Sequence, residues 1–190
     1  KPPTFPADRF DPTARFRREQ QFLSKHRFRN GVISSLGTKF DNNSLIMVDY
    51  IEHGEELFGI LKASCKDKQV FFIKGEVAIQ EREKVKSLME TSTNVICIAI
   101  SKIFSTGINI KNLHNIIFAS PSKSRIRNLQ SIGRGLRLGD NKINATLYDI
   151  ADDLTYKSKE NYTLKHFQER INIYTEEEFD YEIHNINLKD

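Results

Sequence analysis

Tryptophan is missing from these 190 residues, and cysteine and methionine occur only twice each. Two cysteines, Cys65 and Cys97, cannot build a disulfide framework, and their spacing matches no metal-ligand pattern. Cys97 lies in the apolar run Val95-Ile96-Cys97-Ile98 and is expected to be a small buried hydrophobe. This cysteine usage suits a reducing compartment, and a cytoplasmic location is the expectation. Proline is scarce as well, and Pro2, Pro3 and Pro6 are three of only five. That cluster reads residues 1–10 as a linker, because proline cannot join regular backbone pairing. No apolar stretch approaches the roughly 18–20 residues needed to cross a bilayer. No signal peptide opens the chain, and Lys1-Pro2-Pro3-Thr4 reads like the middle of a longer protein. Internal repeats and low-complexity segments are absent too.

What is present suits one ordinary globular domain with a small appendage: 38% hydrophobic and 28% charged residues, with a net charge of +4. The charge is uneven. Residues 1–30 carry eight Lys/Arg against three acids, and residues 122–142 carry six against one. From Asp149 onward eleven acids oppose five bases. A basic face points to a polyanion partner; a solvated surface is the alternative.

Asp11-Pro12 opens a basic helix, with an acid as N-cap and proline at the first helical position. It is expected to run to about Arg29, break at Asn30-Gly31, and give way to a short helix ending near Gly37. Alternation follows. Strands are expected at 45–50, 70–73, 95–100, 114–119 and 145–150. Helices are expected at 52–62, 79–91, 122–138 and 161–174, and the last residues as a strand or hairpin. On the helix 79–91, Val85, Leu88 and Met89 face inward. Short apolar runs without polar alternation are what a parallel sheet covered on both faces requires. The expected fold is therefore an open, doubly wound α/β sheet, with its site at the carboxyl ends of the strands.

The segment richest in chemistry is Gln130-Ser131-Ile132-Gly133-Arg134-Gly135-Leu136-Arg137. On a helix, Arg134 and Arg137 emerge on one face, with Gln130 four residues before Arg134 on the same face. Gly133 and Gly135 each cost about 1 kcal/mol relative to alanine there, which points to a close approach to the backbone. Two guanidinium forks beside a glutamine amide suit a polyphosphate. Upstream, the strand ending at Ile100 leads into Ser101-Lys102-Ile103-Phe104-Ser105-Thr106-Gly107-Ile108-Asn109, a turn whose N–H groups and hydroxyls suit phosphate oxygens.

Gln130–Arg137 resembles the QxxGRxxR motif VI of superfamily 2 helicases, and Ser101–Asn109 resembles their motif V. Leu45–Tyr50 with Ile51-Glu52-His53-Gly54 is similar to motif IV, and Ile73-Lys74-Gly75-Glu76 with Arg82 to the segment after it. The likeness covers about residues 40–150, and within the superfamily it leans toward DNA helicases of recombination, repair and fork remodelling. It implies a RecA-like second motor domain over 39–155. A basic helical lead-in (11–38) would precede it, and a helical extension of the same domain (156–190) would follow.

The resemblance further implies that Arg137 is the arginine finger on the γ-phosphate, that Arg134 is a second cation there, and that Gln130 orients the nucleotide. Gly107, Asn109 and Gly133 would line the nucleotide side of the cleft. Many relatives carry Asp where Asn109 stands. Ser101, Lys102 and Thr106 would hold the nucleic-acid backbone, with His53 close by. The implied cofactors are ATP and Mg2+, bound mainly by an N-terminal RecA-like domain carrying the P-loop, and the implied substrate is DNA.

The sequence holds no G-x-x-x-x-G-K-[ST] of its own; Gly31–Lys39 has the wrong spacing and follows a helical pattern. This chain alone is therefore expected to hydrolyse no ATP. Asp152-Asp153 and Glu176-Glu177-Glu178 are expected to be solvated acids. The basic helix 11–29 either touches nucleic acid or packs Phe16 and Phe22 inward and leaves its arginines in water. Two other readings remain open: a nucleic-acid-binding module that uses no nucleotide, and the motor half of a restriction-type translocase.

Overall fold

The computed structural model of the chain describes residues 11–75, 79–101, 112–120 and 145–187. The expected linker 1–10 and the expected helix 122–138 lie outside them. So do Lys102, Thr106, Gly107, Asn109, Gln130, Gly133, Arg134 and Arg137. Ten elements follow in order: α1 (Pro12–Lys25), α2 (Arg27–Lys39), β1 (Ser44–Val48), α3 (Ile51–Ser64), β2 (Gln69–Ile73), α4 (Ile79–Thr91), β3 (Val95–Ile100), β4 (Asn115–Phe118), β5 (Thr146–Asp149) and α5 (Tyr162–Glu176).

The strands form one parallel sheet in the order β2-β3-β1-β4-β5. β1 is central, with Met47 opposite Ala99 on one side and Phe118 on the other. All five β1 residues are buried, which is why the run Ser44–Val48 shows no polar alternation. Its side chains still alternate between two cores. Leu45 and Met47 join Cys97, Phe118, Val85 and Met89 on the α4–α5 face. Ile46 and Val48 join Ile98, Ile117, Ile33, Leu57 and Leu61 on the α2–α3 face. Each such aliphatic contributes about 1.5–3 kcal/mol on leaving water. Burial pushes the Cys97 thiol up to about 12, so it acts as the small hydrophobe expected. Gly54 lets α3 lie close on β2, because a Cβ there would stand 2.3 Å from the Phe72 ring.

The start of the chain departs from expectation. Asp11 does cap α1, its Oδ1 accepting from the N–H groups of Thr13 (2.8 Å) and Ala14 (3.2 Å). The break, however, falls at His26, not at Asn30-Gly31. His26 is extended, closes α1 through its own N–H on the Leu23 carbonyl, and caps α2 by accepting the Arg29 N–H at Nδ1. Asn30 and Gly31 stay helical because the Asn30 amide donates to the Ser24 carbonyl across the joint (2.8 Å). That bond replaces the turn its side chain would otherwise make.

The far end differs as well. Residues 177–187 form no strand. Glu178, at φ 55°, turns the chain out of α5, and the rings of Phe179 and Tyr181 gather on Tyr174 instead of reaching a sheet edge.

Candidate nucleotide and nucleic-acid interface at the carboxyl ends of the strands

β1 and β4 are neighbours, yet the chain leaves β1 toward β2 at one edge and leaves β4 toward β5 at the other. Their carboxyl ends therefore mark the topological switch point, where doubly wound sheets open a crevice for ligands.

A relay of hydrogen bonds holds this place. The Asp49 N–H donates to Ser120 Oγ (3.1 Å), and Ser120 Oγ meets His53 Nδ1 at 3.3 Å. His53 Nε2 lies 3.1 Å from Asn30 Oδ1. Asn30 is oriented by its Nδ2 donating to the Ser24 carbonyl, so its Oδ1 can only accept. His53 must then carry its proton on Nε2, and the Ser120 hydroxyl donates to Nδ1. Helix α3 positions His53 in its first turn, and Ser120 follows β4, so the relay ties the ends of β1 and β4 to α2. His53 is 2% exposed. His53, expected to lie close to the nucleic acid, is thus an interior residue that braces the ends of β1 and β4.

Ser101 was the other described candidate. It is buried at the end of β3, its hydroxyl donating to the Val48 carbonyl at 3.0 Å. That proton stitches β3 to β1. The structure thus places His53 and Ser101 on the two sides of the β1 terminus, both turned inward.

Several residues at this end went unnoticed in the sequence. Arg29, at 2% exposure, donates from Nε to Asp152 Oδ1 (2.7 Å) and from Nη2 to the Ala119 carbonyl (2.8 Å). Asp152 is consequently buried, which corrects the expectation of a solvated acid. Its neighbour Asp153 is exposed, and the Thr155 side chain and N–H hold its carboxyl below the usual range. At the end of β5, Asp149 grips the fully buried Arg170 in two parallel bonds of 2.7 and 2.9 Å. The Tyr174 hydroxyl donates to the same carboxylate, and burial with that negative charge raises its pKa.

Helix α1 is fastened here too. Glu19 accepts the N–H groups of Tyr162 (3.0 Å) and Thr163 (2.7 Å) at the start of α5, a favourable place for a negative charge. Phe16 packs its ring edge-on against His166, as the inward-packing alternative required. Arg17 lies near enough to Tyr50 for its charge to offset part of the rise in the phenol's pKa, which burial and Asp49 cause. The sequence signal for Arg29 and Asn30 was their spacing from Ile33 and Gly37 on one helical face; the misplaced break at Asn30-Gly31 concealed it.

Among the described residues, no group of three His, Cys, Asp or Glu gathers to hold a metal ion. Of the described polar groups at this end, Arg29, His53, Ser101, Ser120 and Asp152 hold the strand termini.

The helicase conserved C-terminal domain family matches residues 27–139, more than half of the chain. This chain belongs to that family. The match begins at α2 and runs through the segment Gln130–Arg137. A relative, the ATP-dependent DNA helicase UvsW of Enterobacteria phage T4, is 37% identical over 173 residues, covering 84% of this chain and 34% of UvsW. The crystal structure of T4 UvsW superposes with a TM-score of 0.70 at 34% identity, covering 85% of this chain and 35% of that one. S. cerevisiae Dbp5, solved with RNA and ADP BeF3, shares the fold at a TM-score of 0.54 and 18% identity over 77% of this chain and 35% of its own. The expected RecA-like sheet is thus the fold of this helicase C-terminal domain. The chain spans about a third of the length of the curated relative it matches.

Proposed function

We propose that this domain is the second motor half of an ATP-dependent DNA helicase or translocase acting in recombination, repair or fork remodelling. The observation that carries the reading is that the family match includes Gln130–Arg137, in a parallel sheet that opens at the β1/β4 switch point. Phosphoryl transfer needs charge neutralised on the γ-phosphate more than it needs covalent chemistry. In this reading Arg137 reaches the γ-phosphate of ATP held by an N-terminal RecA-like partner domain. Arg134 adds a second cation, Gln130 orients the nucleotide, and Gly107, Asn109 and Gly133 line the cleft. Mg2+ belongs with the partner domain's P-loop. ATP with its metal supplies the reactive phosphoryl group; this half supplies position and charge.

Lys102 and Thr106 hold the DNA backbone without reading sequence, as a translocating motor requires. A phosphate oxygen needs a donor, and the Ser101 hydroxyl proton is engaged by Val48. In this reading Ser101 supports that contact from the end of β3, where its hydroxyl ties β3 to β1. His53 acts at one remove, by fixing the ends of β1 and β4. The protein works in the cytoplasm. The test is steady-state ATP turnover of this 190-residue chain beside that of the intact protein, each with and without DNA. The chain alone is expected to be silent, and the intact protein DNA-stimulated. Multiple turnovers by the chain alone overturn the division of labour.

A further inference from the structure

The seven Lys and Arg of residues 12–39 are Arg15, Arg17, Arg18, Lys25, Arg27, Arg29 and Lys39, and the only acid among them is Glu19. The structure turns that acid inward, onto the amino end of α5. Arg29 is turned inward as well, onto Asp152. Arg15, Arg17, Lys25, Arg27 and Lys39 stay exposed, so the outer face of α1 and α2 presents cations and, among its own residues, no exposed acid; Asp49 and Glu52 share the surroundings of Tyr50 with Arg17. Arg17 and Lys25 lie eight residues apart, on one stripe of α1.

Along α2, between Arg27 and Lys39, runs an open groove of about 470 Å³ lined by residues of that helix. Arg27 and Lys39 stand at its two ends, about 18 Å apart along the helix at 1.5 Å rise per residue. Between them lie Phe28, Val32 and Leu36, with Phe28 51% exposed. A Cβ at Gly31 would meet nothing within 4 Å, so the groove is open at that point. The amino end of this helix is the one that Arg29 fixes to the end of β4. The groove thus starts beside the switch point and leads away from it.

We propose that the outer face of α1 and α2 is a path for a single nucleic-acid strand. Its phosphates lie on Arg15, Arg17, Lys25, Arg27 and Lys39, and its bases lie against Phe28 and the apolar groove floor. Cations that track a backbone beside an exposed aromatic are the sequence-tolerant way of holding a strand. The charge complement selects a polyanion, and the aromatic floor selects unpaired bases over a duplex. This rests on the motor reading and adds a second grip outside the cleft, which would keep the strand attached while the halves open.

The test uses the intact protein and fluorescein-labelled oligodeoxythymidine, with a duplex of equal length, read by anisotropy across a salt series. Arg17→Glu/Lys25→Glu is expected to weaken single-strand binding about tenfold or more at low salt. It should also flatten the slope of log affinity against log salt by about 0.7 for each phosphate no longer neutralised. Phe28→Ala should cost about fivefold or more on the single strand and little on the duplex. Gly31→Leu, whose Cβ meets nothing within 4 Å and whose branch projects into the groove, should act in the same direction. Lys66→Glu/Lys84→Glu, on exposed cations elsewhere, should change little. Affinity and salt slope within twofold of the parent for the α1 pair overturn the path, as does an equal loss in the Lys66/Lys84 control. If the path fails while Arg137→Ala still abolishes turnover, the motor reading stands. A parent protein with no DNA-stimulated turnover sinks that reading instead.

Discussion

The two ends of the sheet are fastened by different chemistry. At the amino ends a single fully buried asparagine gathers the connections. Asn43 donates to the carbonyls of Met89 (2.6 Å), Ser92 (2.6 Å) and Asn112 (3.1 Å), and its Oδ1 accepts the Val95 N–H (2.9 Å). Asn112 and Asn115 add amide bonds to the same cluster. The groups of this asparagine cluster are neutral, and the one described cation beside it, Lys68, donates to the carbonyls of Phe40 and Asn42. At the carboxyl ends a neutral relay through Ser120, His53 and Asn30 is joined by buried ionised fasteners: Arg29 with Asp152, Arg170 with Asp149, and Glu19 on the start of α5. Neutral amides are less costly to bury than ions, so they suit an end that only has to stay shut. Buried ion pairs bring rigid, directional bonds to the end where strand termini must be held in register with a ligand.

The largest expected effect comes from removing one ion. Arg29→Ala leaves Asp152 buried and unpaired, and should cost about 3–5 kcal/mol in denaturant unfolding. Arg29→Ala/Asp152→Ala should recover a large part of that stability. Next comes the neutral end. Asn43→Ala strands several carbonyls and one N–H and should cost about 2–3 kcal/mol. The comparison sharpens when both variants are placed in the intact protein. Arg29→Ala should lower ATP turnover per folded molecule, and Asn43→Ala should leave it unchanged. Equal effects on turnover would remove the distinction between the two ends.

A smaller effect concerns alkaline pH. Burial raises the pKa of Tyr174, with Asp149 adding to it, and burial alone raises Cys97 to about 12. Both groups stay neutral in the folded protein at a pH where the unfolded chain has begun to ionise them. Their contribution is complete below about pH 8 and is lost progressively as pH rises past the unfolded thiol and then the unfolded phenol. The unfolding midpoint should therefore be flat to about pH 8 and then fall. Tyr174→Phe should make that fall shallower.

Much of the fold was legible because burial on both faces leaves a signature no other element shares. The runs 95–100 and 114–119 could be read directly, and the observed strands differ from them by a residue or less at each end. The helix 79–91 was legible from its own periodicity. The α1–α2 joint was not, because Asn-Gly carries a local turn preference that one long-range amide bond overrides. Asp152 misled for a related reason: an acid beside another acid reads as solvated, and its partner lies 123 positions away. Ser120 and Asn30 carry no motif at all; only the crossing of strands brings them to His53. The segment Gln130–Arg137 stands out in the sequence as a constellation of residue types, and it lies outside the described residues.

The central claim is that this domain supplies Arg137 to a triphosphate bound elsewhere. The most direct measurement is DNA-stimulated ATP turnover of the intact protein carrying Arg137→Ala, with DNA affinity measured on the same sample. A fall in kcat of about a thousandfold or more with DNA affinity retained is the result expected of a missing finger. Turnover equal to that of the parent would contradict the claim.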